Sequence, residues 1–236
     1  MNRLVMILLK NITKLPAAYG KLCKYAKRPD KYTRQEMWDH IGYMMGLAVK
    51  TSNVDLQVTG LENIPKEGSF MLYGNHQGLF DVMAIAASCP RPLSVVYKKE
   101  LSGVPILKQI YACTNSFAMD REDVRQSLTV IQNVTEELKK GYPYLIFPEG
   151  TRSKLGNTML PFHAGSFRCA VKAKCPVVPI ALVDSFRPLD EKGSGRISVQ
   201  LHYLPAIPYE QFQDMKAAQL AQLVQSKIQA AIDQYV

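Results

Sequence analysis

The chain has 236 residues, of which 47% are hydrophobic and 21% are charged, and its formal net charge is +9. A chain this long and this apolar can bury a sizeable core, which argues against disorder and predicts one globular domain with at most a small appendage. The five cysteines show no CxxC spacing. They favour reduced thiols in a cytoplasmic protein over a disulfide framework or a zinc site.

The positive charge is concentrated at the N terminus. Residues 1–34 contain nine basic side chains and one acidic side chain, whereas all later residues together contain 20 basic and 19 acidic ones. The body of the protein is therefore nearly neutral, which argues against nucleic acid as a partner.

The N-terminal segment is expected to form two amphipathic helices. Apolar residues recur at three- and four-residue steps across 5–26 with lysines largely between them, and Pro16 should kink or split this helix. A second helix is expected after Thr33, because Thr33 and Glu36 match a capping box. The uninterrupted apolar run 4–9 is too short to cross a bilayer core, which needs about 20 residues.

Two interpretations of these helices remain open. In the favoured one, residues 1–50 form a membrane-anchoring segment, with the apolar face in the acyl boundary and the lysines on anionic headgroups. The protein would then lie at the cytoplasmic face of the membrane as a monotopic or peripheral protein. In the other, both helices simply pack on the domain and their lysines face solvent.

The body, residues 51–236, alternates short β-branched runs with helical patterns. This alternation predicts an α/β domain with a mixed, mostly parallel sheet flanked by helices. The expected strands are 54–58, 69–73, 93–97, 144–147, 177–182 and 197–203, and the expected helices are 81–88, 123–140, 163–174 and 208–235. In such folds the functional site lies at the strand ends, in the loops that lead to helices.

A histidine and an aspartate follow the second expected strand. His76 and Asp81 can meet if the residues between them form a turn, and Gly74 and Gly78 are expected to supply its unusual backbone angles. A carboxylate on one imidazole nitrogen fixes the tautomer, so that the other nitrogen can take a proton from a hydroxyl nucleophile. The spacing alone is weak evidence, because many histidines near strand ends are only structural. No GxSxG elbow supports a serine acyl-enzyme.

A charged loop follows the expected strand 144–147. Pro148 should end the strand, Gly150 should permit a turn, and Arg152 should project from the loop. An arginine in this position can hold a phosphate through two parallel hydrogen bonds. The alternative for Arg152 is a surface salt bridge, with Glu149 as its partner.

Four blocks in order give the chain a resemblance to the glycerolipid acyltransferases, and within them to the 1-acylglycerol-3-phosphate acyltransferases. The blocks are Asn75-His76 to Asp81, Lys99-Glu100-Leu101 with Phe117 to Arg121, Phe147 to Arg152, and Val178-Pro179-Ile180. They span about residues 54–205. One position departs from the family pattern, since Gly78 stands where the family frequently has serine.

The resemblance implies transfer of a fatty acyl group from acyl-CoA or acyl-carrier protein to the sn-2 hydroxyl of lysophosphatidic acid, which gives phosphatidic acid in phospholipid biosynthesis. His76 would be the catalytic base and Asp81 its orienter, with no metal or cofactor. The implied phosphate-acceptor residues are Lys99, Arg121, Glu149, Gly150, Thr151 and Arg152, and Pro179 would shape the acyl pocket.

The acidic member of the phosphate-acceptor set is unusual, because a carboxylate repels a phosphate. We expect Glu149 to position Arg121 or Arg152, or to accept a hydrogen bond from an acceptor hydroxyl. Two alternatives to the implied function remain. One is the same chemistry on glycerol 3-phosphate or another lysolipid, and the other is a membrane-binding module without catalysis.

Overall fold

A computed structural model describes residues 2–235 as one seven-stranded sheet with helices on both faces. The helices are α1 (Arg3–Lys10), α2 (Leu15–Lys27), α3 (Arg34–Thr51), α4 (Phe80–Ser88), α5 (Leu107–Cys113), α6 (Val124–Lys139), α7 (Arg168–Ala173), α8 (Arg187–Asp190) and α9 (Ala217–Asp233). The strands are β1 (Val54–Thr59), β2 (Met71–Gly74), β3 (Ser94–Lys98), β4 (Phe117–Met119), β5 (Tyr144–Ile146), β6 (Val177–Val183) and β7 (Ile197–Tyr203).

The strand order is β1-β7-β6-β2-β5-β3-β4. The five neighbouring strands β6, β2, β5, β3 and β4 all run parallel, whereas β7 is antiparallel to β6 and parallel to β1. The mixed, mostly parallel sheet that the sequence predicts is therefore confirmed. The carboxyl ends of the five parallel strands share one edge, and the loops that follow them lie next to one another.

Each face of the sheet carries its own core. The first core covers the face under α2, α3, α4 and α5, and the second covers the face under α6, α7 and α9. Successive side chains of a strand point to opposite faces, so Leu72 lies in the first core and Tyr73 in the second. Strands buried on both faces read as continuous apolar runs, as all seven residues of β6 do.

The structure also contains short elements that the sequence pattern does not predict. Strand β4, helix α5 and helix α8 were not expected, and each is only three to seven residues long. The expected helix at 208–235 begins as a 3-10 turn, Tyr209–Gln211, and becomes α-helical only at Ala217.

The N-terminal helices divide where the sequence predicts. A break separates α1 from α2, Pro16 lies in the first turn of α2, and Thr33 and Glu36 form the expected capping box. None of the helices over residues 2–235 is both long enough and apolar enough to cross a membrane.

Helix α3 corrects the expected extent of the membrane anchor. Trp38 and Ile41 are 5% and 1% exposed, and they pack into the first core together with Leu22 of α2. At Gly42 the helix lies so close to α4 that an added Cβ would be 3.2 Å from the carbonyl oxygen of Ala86. Helix α3 is thus part of the α/β body, because its apolar face is covered by protein. Among the described residues, α1 exposes four large apolar side chains, Leu4, Val5, Leu8 and Leu9, which is more than any other helix exposes.

Candidate active site

His76 and Asp81 meet across the loop between β2 and α4. The imidazole Nδ1 and the Asp81 Oδ2 are 2.7 Å apart. The Asp81 side chain is fully buried and that of His76 is 17% exposed. A carboxylate only accepts hydrogen bonds, so Nδ1 carries the proton and Nε2 is left with a free lone pair. The pair has the arrangement that a general base requires.

Asp81 accepts three hydrogen bonds in addition to the one from His76. Its Oδ2 also accepts from the backbone N–H groups of Gln77, at 2.7 Å, and of Gly78, at 3.1 Å, while its Oδ1 accepts from the Ser185 hydroxyl. Asp81 lies in the first turn of α4, where the helix dipole favours a negative charge. These contacts stabilise the buried carboxylate and fix its orientation.

The two glycines of this loop have a different purpose from the expected one. Neither Gly74 nor Gly78 has a positive φ. A Cβ at Gly74 would lie 2.5 Å from Cγ1 of Ile180, and a Cβ at Gly78 would lie 2.9 Å from the Cα of Phe186. Both positions therefore require glycine for close packing against β6 and the segment after it, and not for backbone angles.

The loop after β5 holds the backbone of His76 from both sides. Oε1 of Glu149 accepts from the His76 N–H at 2.6 Å, and the Ser153 N–H donates to the His76 carbonyl at 2.8 Å. The other Glu149 oxygen accepts from the N–H of Leu160 at 2.8 Å. Burial raises the pKa of the Glu149 carboxyl, and its two backbone donors oppose that rise.

These contacts correct the expectation for Glu149. The carboxylate is buried and positions His76, so it is not placed to contact a phosphate or to orient Arg121 or Arg152. The physical reason is that the backbone N–H groups of His76 and Leu160, which lie in loops outside the strands, both donate to this carboxylate.

Two further residues of the same loop shape the surroundings of His76. The ring of Phe147 stacks on the imidazole, with centroids 4.2 Å apart and planes at 16°. Gly150 has a φ of +71°, and a Cβ there would lie 3.2 Å from the ring of His163. The turn at Gly150 is confirmed, and here the backbone conformation itself favours glycine.

Arg152 lies between the two points at which this loop binds His76. Its Nη1 is 3.2 Å from Oδ1 of Asp190 in α8, and the two side chains are 33% and 35% exposed. Thr151, beside it, is exposed. Arg152 does form a surface salt bridge, the alternative that the sequence left open, but its partner is Asp190 and not Glu149.

Lys99 and Arg121 follow β3 and β4 at the same edge of the sheet. The Lys99 Nζ is 3.3 Å from Oδ2 of Asp120, and both cations are exposed. Strand β4 is two positions from β5, which is about 10 Å at ordinary strand spacing.

Pro179, which is expected to shape the end of the acyl pocket, lies inside the sheet. It is buried in β6, opposite Tyr73 of β2, and it points to the same face of the sheet as Val177 and Ala181, which belong to the second core. Phe147, which stacks on His76, packs against the first core. The sheet therefore separates the Pro179 ring from the imidazole, because successive side chains point to opposite faces.

The comparison with protein families bears on the same segment. A model described as Acyltransferase matches residues 55–183, which include β2, the His76–Asp81 loop and the loop after β5. The chain belongs to the Acyltransferase family. This confirms the resemblance that the four sequence blocks indicate.

Individual relatives carry a more specific name. A 1-acyl-sn-glycerol-3-phosphate acyltransferase of Saccharomyces cerevisiae is 34% identical over 131 residues, which cover 55% of this chain and 43% of that protein. The chain therefore spans less than half the length of the yeast relative. An enzyme of the same name from Salmonella typhimurium is 26% identical over 223 residues, which cover 93% of this chain and 87% of that one.

A solved structure shares the fold. The crystal structure of the 1-acyl-sn-glycerophosphate (LPA) acyltransferase PlsC from Thermotoga maritima aligns with a TM-score of 0.77 over 98% of this chain and 96% of that one. The identity is 23%, so the likeness establishes the fold alone.

The sequence pattern does not identify several polar residues that support the site. The side chain of Asn75 bonds the backbone N–H and carbonyl of Leu182, both at 2.8 Å. Oε1 of Gln77 accepts from the Ser185 N–H at 2.8 Å, and Asn157 bonds the side chain of Gln77 at 2.8 Å. These contacts join the His76 loop to the end of β6. The available signal was that a polar residue, Ser185, follows closely on the wholly apolar strand β6.

Proposed function

We propose that this protein transfers a fatty acyl group from a thioester to the free sn-2 hydroxyl of lysophosphatidic acid and so forms phosphatidic acid. The observation that carries the proposal is the His76–Asp81 pair at 2.7 Å, on the same sheet edge as Arg152. The names of the yeast and Salmonella relatives support this choice of acceptor. Acyl-CoA and acyl-carrier protein are both suitable donors, because they share the thioester.

The chemistry follows from the free nitrogen of the imidazole. Nε2 of His76 takes the proton of the acceptor hydroxyl as its oxygen attacks the thioester carbonyl, and Asp81 stabilises the imidazolium that results. The tetrahedral intermediate then collapses, the C–S bond breaks, and the proton passes from Nε2 to the leaving thiolate. No covalent acyl-enzyme is needed.

Arg152 supplies the contact to the acceptor phosphate in this proposal. Its present partner is Asp190, at 3.2 Å. Both side chains are about one-third exposed, and ion pairs at the surface are weak. A phosphate can take two parallel hydrogen bonds from the guanidinium and carries more charge than Asp190. The phosphate therefore displaces Asp190 when the acceptor binds.

Acceptor profiling of the wild type and of Arg152→Ala tests the function. We expect acylation of lysophosphatidic acid by the wild type with at least one of the two thioester donors. For Arg152→Ala the KM for lysophosphatidic acid should rise by about 10- to 100-fold, the value of hydrogen bonds to a charged group. The KM for a monoacylglycerol, which has no phosphate, should not change.

A surface arginine immediately before β7, two strands from β2, provides the matched control. Arg196 also pairs with a carboxylate, Asp55 at 3.4 Å, so Arg196→Ala should leave both KM values unchanged. An unchanged KM for lysophosphatidic acid in Arg152→Ala removes Arg152 from the acceptor site. No acylation of lysophosphatidic acid with either donor contradicts the proposed function.

We also propose that the protein works at the cytoplasmic face of a phospholipid membrane, held there by α1. Large apolar side chains on α1 are exposed, in contrast to the buried ones of α3. They are Leu4 (52%), Val5 (45%), Leu8 (47%) and Leu9 (55%), followed by Ile12 (64%) after the end of the helix. Lys10 and Lys14 are close enough to bind anionic headgroups.

Leu8→Gln/Leu9→Gln should weaken binding to vesicles of anionic phospholipid. Removal of two leucines from the acyl boundary is expected to lower the partition coefficient at least about tenfold, measured by sedimentation with the vesicles. The body should remain folded, because both side chains are exposed. A deletion of α1, α2 and α3 is unsuitable, since it would remove Trp38 and Ile41 from the first core.

Val124→Gln/Leu128→Gln on α6 is the matched control. These side chains are 71% and 50% exposed and lie on the helix that covers the other face of the sheet. Vesicle binding should be unchanged in this variant. Equal losses in the two double variants contradict a specific role of α1.

A further inference from the structure

Ser185 lies in the connection between β6 and α8 and is fully buried. Its hydroxyl donates to Oδ1 of Asp81, and its N–H donates to Oε1 of Gln77 at 2.8 Å. The contact joins residues 104 positions apart in the sequence. It brings a side chain from the segment after β6 onto the orienting carboxylate of the candidate base.

The two oxygens of Asp81 have unequal surroundings. Oδ2 receives the imidazole N–H and the backbone N–H groups of Gln77 and Gly78. Among the residues described, Oδ1 receives only the hydroxyl of Ser185. Rotation of the carboxylate about its Cβ–Cγ bond is therefore restrained at Oδ1 by this single donor.

The hydroxyl proton of Ser185 has two candidate acceptors. Oε1 of Gln77 is 3.0 Å from Oγ, but it already accepts from the N–H of Ser185 and belongs to a neutral amide. A carboxylate is the stronger acceptor, because it carries a negative charge. The proton therefore lies toward Asp81.

Gly78 makes this contact sterically possible. A Cβ at position 78 would lie 2.9 Å from the Cα of Phe186 and 3.2 Å from the carbonyl oxygen of Ser185. Backbone atoms cannot move aside as a flexible side chain can. A larger residue at this position must push the segment with Ser185 away from Asp81.

We propose that Ser185 is a positioning residue of the acyl-transfer reaction, which it serves by holding Asp81 in line with the imidazole. Gly78 provides the space that it needs. The role in catalysis rests on the proposed function. The arrangement itself, a base, its carboxylate and a hydroxyl behind the carboxylate, is a property of the fold.

Ser185→Ala should lower kcat by about 10- to 100-fold, the loss expected for a hydrogen bond to a charged group. The KM for lysophosphatidic acid should not change, because Ser185 is buried behind Asp81. Ser185→Cys, which has nearly the same size and a weaker donor, should give an intermediate kcat. Equal kcat values for the alanine, cysteine and wild-type proteins overturn the proposal.

Ser94→Ala is the matched control for the loss of a buried hydroxyl. Ser94 is also fully buried, and its hydroxyl donates to the carbonyl of Thr114. It is the first residue of β3 and therefore lies at the opposite edge of the sheet from the His76 loop. Its removal should affect the free energy of unfolding but not kcat. A kcat loss in Ser94→Ala equal to that of Ser185→Ala assigns Ser185 a merely structural role.

A second readout does not depend on activity. The Nδ1 proton of His76 should give a strongly deshielded NMR signal in the wild type, identified by its absence in His76→Ala. In Ser185→Ala and in Gly78→Ala this signal should shift and broaden, because the carboxylate is less restrained. In Ser94→Ala it should not change. An unaltered signal in the folded Ser185→Ala protein overturns the proposal.

The two readouts separate this proposal from the proposed function. If the wild type fails to acylate lysophosphatidic acid but its His76 signal depends on Ser185, the function fails and the positioning of Asp81 stands. If the wild type is active and neither kcat nor the signal depends on Ser185, the function stands and the positioning role fails.

Discussion

His76→Ala should reduce kcat for acyl transfer by about 10²- to 10⁴-fold, the usual contribution of a general base. The variant loses the group that takes the hydroxyl proton in the proposed mechanism, while Glu149 and Ser153, on the same loop as Arg152, keep their contacts to the backbone at position 76. The KM for lysophosphatidic acid should therefore change little. Steady-state kinetics with either thioester donor, together with vesicle sedimentation, measure both effects.

His202→Gln serves as the control for this substitution. His202 lies in β7, where its ring bonds Thr59 at 2.8 Å and Gln200 at 3.1 Å, outside the parallel strands whose loops form the site. This variant should keep wild-type kcat. A loss of less than about tenfold in His76→Ala, with the protein folded, rules out general-base catalysis by His76.

Much of the fold could be predicted because its signals are local. The apolar runs that form β6 and β7 have boundaries that a sequence pattern can locate, and the structure confirms them within one residue. Strand β4 is different, since it has only three residues, all partly exposed. Its position depends on pairing with β3, which is a contact between distant segments.

Amphipathic periodicity could not distinguish the two kinds of N-terminal helix. The apolar residues of α1 and α3 follow similar steps, yet Leu9 is 55% exposed and Ile41 is 1% exposed. The pattern shows that a helix has an apolar face, but not whether protein or membrane covers it. The apolar face of α3 is covered because α3 packs closely against α4, and this packing is a feature of the tertiary structure.

The site shows the same division between local and distant information. His76 and Asp81 are only five positions apart, so a short motif can contain both, although the spacing by itself is weak evidence. Glu149 and Ser185 contact this pair from 73 and 104 positions away, so their tasks could not be deduced from a motif. For Gly78, the sequence cannot separate a glycine needed for backbone angles from one needed for space.

Asp81→Asn should also lower kcat by orders of magnitude, about 10²- to 10⁴-fold by analogy with other carboxylate–histidine pairs. The amide oxygen can take the place of Oδ2, where the His76 Nδ1 and the two backbone N–H groups converge. The amide nitrogen then faces Ser185, whose hydroxyl can rotate to accept. The contacts are thus largely retained, and the loss measures the negative charge that stabilises the imidazolium.

The double variant His76→Ala/Asp81→Asn decides whether Asp81 acts through His76. If Asp81 only serves the imidazole, its substitution has no further effect once the imidazole is gone, so the double variant should match His76→Ala alone. Asp55→Asn removes an exposed carboxylate on β1, is the control for loss of a carboxylate, and should leave kcat unchanged. Multiplicative losses in the double variant would show that Asp81 contacts the reacting groups independently. In that case the 2.7 Å contact to Nδ1 is structural, and the base must be oriented by another residue.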